Sequence, residues 1–147
     1  MKVVIGNDHA AVQLKHEIIQ YLESKEEICI LDGCTYNNKD MEYPDYAREV
    51  CNKVLSGEYD CGILLCGTGV GMSMAANKMR GIRAVVCSDP CSAKFSRAHN
   101  DANILCLGAR VVGAELAKTI VDVFLSQPFE GGRHTIRVAK IMELENL

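Results

Sequence analysis

Gly62-Ile63-Leu64-Leu65-Cys66-Gly67-Thr68-Gly69-Val70-Gly71 joins an uninterrupted apolar run to a glycine-rich turn. A run with no polar alternation marks a strand covered on both faces, as strands of a parallel sheet are. The glycines after it let the backbone turn sharply. From Gly71 to Met79 the pattern becomes helical, stopping before Gly81. Strand, tight turn and helix in succession make one βα unit.

The same order recurs in both directions. Lys2 to Gly6, Glu27 to Leu31, Ile82 to Val86 and Ile104 to Leu107 read as four further strands, the first of the later ones starting raggedly after Glu23-Ser24-Lys25-Glu26-Glu27. Helices are expected over Ala10 to Glu23, from Tyr43-Pro44-Asp45 to Gly57, from Asp89-Pro90 to about Ala98, over Gly113 to Leu125, and from about Arg137 to Leu144. Pro44 and Pro90 suit the first helical turn, Asp89 an N-cap, and Gly57 a helix end. This alternation predicts an α/β fold: a three-layer α/β/α sandwich, Rossmann-like, with a five-stranded parallel sheet and right-handed crossovers. The 147 residues carry no composition shift. They read as one domain, 1–147, with a C-terminal arm and helix from about 129, where Glu130-Gly131-Gly132-Arg133-His134 redirects the backbone.

Composition narrows the function. Apolar residues at 48% and charged residues at 24% describe an ordered chain. A net charge of -3 speaks against a nucleic-acid partner. No run is long enough to span a membrane, and Met1-Lys2-Val3-Val4-Ile5-Gly6 is too short for a signal peptide, so a cytoplasmic protein is expected. Of eight cysteines, Cys61, Cys66, Cys87 and Cys106 lie in or beside apolar runs. They read as buried free thiols of a reducing compartment. No pair has C-x-x-C spacing, and no zinc site is expected.

Ligands of open parallel sheets bind beyond the carboxyl ends of the strands. There the sequence sets Asn7, Asp8 and His9 after the first strand and Cys66 to Gly71 after the third. Cys87, Ser88 and Asp89 follow the fourth, and Gly108, Ala109 and Arg110 the fifth. The amides of the glycine turn, at a helix N-terminus, suit an anion. No Lys-Ser or Lys-Thr closes a P-loop, and the third glycine falls one residue early for a dinucleotide fingerprint. Asp89 stands at about the distance of a ribose-binding acid, which leaves a nucleotide site open, as it leaves a plain structural turn open. The same amides favour a thiolate at Cys66, which can serve as a base. His9 follows Asp8, and His99 precedes Asn100, Asp101 and Asn103, whereas His16 reads as a helix-surface residue. Arg133 and Arg137, four apart, form a phosphate clamp if the last helix begins near them.

Several blocks together resemble a known family: Asp8-His9-Ala10, Tyr43-Pro44-Asp45-Tyr46-Ala47, Cys66-Gly67-Thr68-Gly69-Val70-Gly71, Ala76-Asn77-Lys78, Gly81-Ile82-Arg83-Ala84, His99-Asn100-Asp101-Ala102-Asn103, and Gly131-Gly132-Arg133-His134 with Arg137. Over essentially the whole chain they resemble the type B ribose-5-phosphate isomerases and the related galactose-6-phosphate isomerase subunits. The resemblance implies a homodimer, sometimes paired into a tetramer, with active sites shared between subunits. It implies aldose–ketose interconversion of a sugar phosphate through a cis-enediolate, with no metal or organic cofactor. It assigns Cys66 as the base between C1 and C2 and Thr68 to proton movement among the sugar oxygens. The amides of Gly67, Gly69, Val70 and Gly71 become the oxyanion cradle, and His99, with Asp8, the ring-opening group. His9, Arg110, Arg133 and Arg137 become phosphate contacts and Asn100 a sugar contact, with His99, Asn100 and Arg110 coming from the partner chain. Asn7, Ala11, Glu42 and Cys34 depart from the family's usual residues and touch none of these roles. The expected reaction joins ribose 5-phosphate and ribulose 5-phosphate. The rival readings are an isomerase of a six-carbon sugar phosphate (allose 6-phosphate or galactose 6-phosphate) and a non-catalytic phosphate- or nucleotide-binding module.

Overall fold

Five strands run parallel in the order β2-β1-β3-β5-β4. They are β1 (Lys2–Asn7), β2 (Cys29–Cys34), β3 (Cys61–Cys66), β4 (Ala84–Val86) and β5 (Ile104–Gly108). The computed structural model that gives them describes residues 1–34 and 40–147, with Cys34 described by its backbone alone. The helices between are α1 (Val12–Glu23), entered by a 3-10 turn over His9–Ala11, α2 (Tyr43–Leu55), α3 (Val70–Ala76), α4 (Pro90–Asn100), α5 (Ala114–Ser126) and α6 (Arg133–Glu143).

All six residues of β3 are buried, as its unbroken apolar character requires. Alternate side chains pass to opposite faces. Cys61, Ile63 and Leu65 join Leu14, Ile18 and Leu22 of α1 and Ile120 and Phe124 of α5. Leu64 and Cys66 join Tyr46 and Val50 of α2 and Met72 of α3. Two apolar clusters with the sheet between them are the three layers the alternation predicts. No helix among the described residues is long and apolar enough to cross a membrane.

The element bounds differ from the sequence reading where tertiary bonds intervene. β2 begins at Cys29, after the exposed Glu26 and Glu27, and the terminal amine of Met1 donates to Glu27 O at 2.7 Å. β4 keeps three residues because Ile82 N is bonded back to Met79 O, and Arg83 N donates to Asn103 Oδ1. The last helix starts at Arg133, four residues earlier than its apolar pattern suggests. Gly131 and Gly132, at φ +66° and +56°, make the turn that frees the chain to coil there. Glu42 opens α2 as half of a capping box, its side chain accepting from the Asp45 backbone and the Asp45 side chain from its own.

Two residues of the polar block after α4 are structural. Asp101, at φ +47°, closes α4 and accepts from Arg83 at 3.1 Å. Asn103 clips two strand entries together: its Nδ2 donates to Gly81 O at 2.9 Å, while its main-chain carbonyl accepts from Gly62 N.

All seven described cysteines are free. Burial pushes the Cys51 and Cys61 thiols up to about 12 and Cys87 to about 11, and lifts Cys106 well above the usual range. These four remain protonated at neutral pH and are inert as nucleophiles. With iodoacetamide near neutral pH, native protein is expected to be alkylated at the exposed Cys29 and Cys91, while Cys51, Cys61, Cys87 and Cys106 react only after unfolding; peptide mapping by mass spectrometry reads both. Replacing Asn103 by Ala leaves the Arg83 amide and Gly81 carbonyl unmet. Urea unfolding should record a loss of about 1–3 kcal/mol.

Candidate active site

At the carboxyl edge, β1 hands the chain to Asp8, whose amide donates to Leu65 O of β3 at 3.0 Å. Asp8 is buried, and one carboxylate oxygen accepts from Ala10 N at 2.9 Å, capping the 3-10 turn. That turn sets His9 on the surface beside it. Asn7, wholly buried, donates from Nδ2 to Asp8 O, which fixes this corner further.

β3 ends in Cys66, which is 6% exposed, and its Sγ lies under the glycine turn, accepting from Gly69 N at 3.0 Å. The donor is placed to hold negative charge on that sulfur. Gly69 takes φ +80°, and a Cβ on it would stand 3.1 Å from the Leu107 carbonyl carbon. Gly108 is tighter still: a Cβ there would fall 2.6 Å from the Thr68 carbonyl carbon. β5 therefore presses its backbone directly on the turn. Two bonds complete the clasp, Ala109 N to Cys66 O and Arg110 N to Gly67 O, each 2.9 Å.

Not every expected cradle amide is left to a ligand. Gly69 N is engaged by Cys66 Sγ, and Val70 N donates to Thr68 Oγ1 at 3.3 Å. The Thr68 hydroxyl is thereby held at the exposed lip of the turn. The Arg110 guanidinium lies along Gly67, with Nη1 3.3 Å from where a Cβ would be. The ring of Tyr43 lies against Gly71, 3.0 Å from its Cβ position. In the sequence Tyr43 reads only as a helix-start signal. Its place just before Pro44, at the carboxyl edge where α2 begins, is what brings it to the turn.

Asp89 has another occupation. It caps α4, accepting from Ser92 N and Ser92 Oγ at 2.7 Å each, bonds that hold its carboxyl below the usual range. It is not free to bind a ribose, so the nucleotide reading loses its acid.

The remaining candidates lie at the opposite edge. Helices of a parallel α/β fold run back against the strands, so His99 and Asn100, the last two residues of α4, are delivered near the amino ends, level with Asn103 and Gly62. The six residues of β3 span roughly 17–20 Å, and that length separates them from Cys66. Across this edge lies α6. Glu130 N donates to Ala98 O at 3.0 Å before the helix, and Glu145 accepts from Gly81 N at 2.8 Å after it. The rings of His99 and His134 stack at 4.2 Å and 8°. Glu130 Oε2 stands 3.7 Å from His99 Nε2 and 3.6 Å from His134 Nε2. Burial, helped by His99 and the arginines, holds His134 below the usual imidazole range. Arg133 and Arg137, both exposed, are one turn apart on α6, the spacing a shared anion requires.

The sequence candidates thus divide. Asp8, His9, Cys66, Gly67, Thr68, Gly69, Val70, Gly71 and Arg110 collect at the carboxyl edge; His99, Asn100, Arg133 and Arg137 collect at the amino edge. Arg110, which the resemblance groups with His99 and Asn100, lies along Gly67 of its own chain.

Comparison with known proteins gives the arrangement its context. Residues 3–141 match the family model described as Ribose/Galactose Isomerase. Ribose-5-phosphate isomerase B of Escherichia coli is 52% identical over 98% of this chain and 96% of its own. D-erythrulose-4-phosphate isomerase of Pectobacterium atrosepticum is 42% identical over 96% of this chain and 93% of its own. The solved structure of ribose-5-phosphate isomerase B from Clostridium thermocellum superposes with a TM-score of 0.94 at 51% identity, covering 99% of this chain and 98% of that one. With the family model matched over nearly the whole length and relatives about half identical, this chain belongs to the ribose/galactose isomerase family.

Proposed function

We propose that this protein, one domain over 1–147, interconverts ribose 5-phosphate and ribulose 5-phosphate in the cytoplasm as a homodimer whose active sites each draw on two chains. Free thiols throughout the described residues suit a reducing compartment. The observation that carries the chemistry is the Cys66 Sγ bond to Gly69 N: a sulfur at a strand end, met by a main-chain donor, beside a turn open to ligand.

The separation of the two edges supports the dimer. A ring-opening imidazole and a phosphate clamp are of no use a strand length from the base, and on this reading His99, Asn100, Arg133 and Arg137 act on the carboxyl edge of a second copy. Apolar side chains left exposed at both edges support that contact: Val70, Met74 and Val111 by the turn, Ile136, Ile141 and Leu144 on and after α6.

In the shared site the partner's clamp and His9 hold the phosphate, and the His99 imidazole protonates the ring oxygen while Asp8 takes the O1 proton, giving the open aldehyde. Cys66 then removes the C2 proton, negative charge passes to O1, and turn amides and Arg110 stabilise it. Thr68 moves a proton between O1 and O2, and the thiol returns its proton to C1, giving the ketose. The thiol's proton is returned at C1, the proton held by Asp8 replaces the one His99 gave to the ring oxygen, and no cofactor is consumed. A relative 42% identical is named a D-erythrulose-4-phosphate isomerase, so a four-carbon sugar phosphate belongs among the substrates compared.

Cys66→Ser should keep the fold and lower kcat by about 10²–10⁴, the usual worth of a positioned base; a coupled assay on ribose 5-phosphate, beside erythrulose 4-phosphate, allose 6-phosphate and galactose 6-phosphate, checks both rate and preference. Turnover of ribose 5-phosphate below that of the others would overturn the substrate assignment. Sharing of sites has its own test. Cys66→Ala and His99→Ala chains, each inactive alone, should regain about a quarter of wild-type activity when co-refolded, because random pairing makes half the dimers hybrids with one intact site of two. A mixture as inactive as its parents would mean that each chain builds its site alone.

A further inference from the structure

The isomerase reading uses only part of the amino-edge cluster. Among the described residues, His99, Glu130 and His134 bring three ligand-type atoms within 4.8 Å of one another. The carboxylate faces both imidazole nitrogens at 3.6–3.7 Å, too long for hydrogen bonds. That spacing is close to the edge of a coordination tetrahedron, about 3.3–3.5 Å for metal–ligand bonds near 2.0–2.1 Å. The two rings are stacked face to face at 8°, so their nitrogens meet one ion only when His99, whose side chain is 34% exposed, tilts off His134 and away from Phe95.

The frame is fixed by the backbone. Glu130 is held to α4 by its amide on Ala98 O, and the two positive-φ glycines bring His134 into the first turn of α6. His134 is buried, so its ring is positioned by packing. Two imidazoles and one carboxylate, with a position open to water, are a donor set that suits borderline divalent ions and leaves hard ions such as Mg²⁺ poorly served.

We propose that His99, Glu130 and His134 bind a borderline divalent cation, Zn²⁺ above all, and that the bound ion inhibits the enzyme by occupying the imidazole of His99. The inhibitory half rests on the ring-opening role given to His99 above; the binding half does not. The ion is a regulator here and takes no part in the isomerisation.

Calorimetric titration of metal-free protein with ZnCl₂ is expected to find one ion per chain in wild type and in Cys66→Ser, and affinity weaker by roughly tenfold or more in Glu130→Gln. Glu130 is exposed and its tie to α4 is main-chain, so this variant keeps its fold. Co²⁺ in place of Zn²⁺ should give visible ligand-field bands without the near-ultraviolet sulfur-to-metal band that a cysteine site produces. Unchanged affinity in Glu130→Gln, or a sulfur band lost in Cys66→Ser, would assign the ion to thiols and overturn the site. In the ribose 5-phosphate assay, Zn²⁺ should inhibit wild type, and Glu130→Gln should need roughly tenfold more ion for the same fractional loss. Binding without inhibition overturns the regulatory role. If ribose 5-phosphate is not turned over at all, the proposed reaction fails, while the titration still decides the site.

Discussion

β5 lies on the glycine turn after β3 with no side chain between them, and the active edge takes its shape from that contact. Gly108 has no room for a Cβ against the Thr68 backbone, and Gly69 has none against Leu107. Main-chain bonds from Ala109 and Arg110 close the contact. The turn is thus held from outside, by a neighbouring strand, and does not rely on the short α3 that follows it. Because it cannot relax, the Gly69 amide stays on the Cys66 sulfur, and the Thr68 hydroxyl stays at the lip. Fixed donors of this kind stabilise developing charge without reorganising when it appears.

The second constraint is the direction of the helices. In a parallel sheet each crossover returns the chain to the amino ends of the strands, so a residue at the end of α4 is remote from the end of β3 whatever its chemistry. The chain uses this edge by laying α6 across it, tied by Glu130 to Ala98 and by Glu145 to Gly81. Both arginines of the clamp then face outward from a helix pinned at its two ends. In the proposed dimer, the site this clamp serves is the carboxyl edge of another copy.

Much of this was legible in the sequence, for identifiable reasons. Buried parallel strands have no polar alternation, so β1, β3 and β5 declare themselves. β4 is overestimated because Ile82 extends the apolar run of Ala84, Val85 and Val86 across Arg83, yet Ile82 and Arg83 are committed to turn and clip. The polar run from His99 to Asn103 reads as one functional cluster, but Asp101 and Asn103 are bonded into the entries of β4 and β5, leaving half-buried His99 and exposed Asn100 outside those bonds. Tyr43 was hidden because its signature as a helix opener is stronger than its signature as a cover for Gly71. Cysteine spacing says nothing of the proposed cation site: His99 and His134 are far apart in sequence, and only the return of α6 onto α4 brings them together.

Position along a strand, more than residue type, sorts the thiols of β3 and β5. Cys106 lies in mid-strand with apolar side chains on every side, where nothing compensates the loss of water and the proton is kept. Cys61 is at the opposite end of the same strand as Cys66 and is slightly more buried, yet its side chain passes to the α1 and α5 face and joins the apolar cluster there. Cys66 passes to the other face at the last residue before the backbone turns back, and the turn itself supplies a donor. One residue earlier, the side chain is that of Leu65, which points into the α1 and α5 cluster. One residue later the glycine turn has begun, and a side chain there would meet Arg110. The sulfur stands at the one register that gives it a main-chain donor and an open lip together, so a one-residue slip of β3 would put it on the wrong face and take it from that donor.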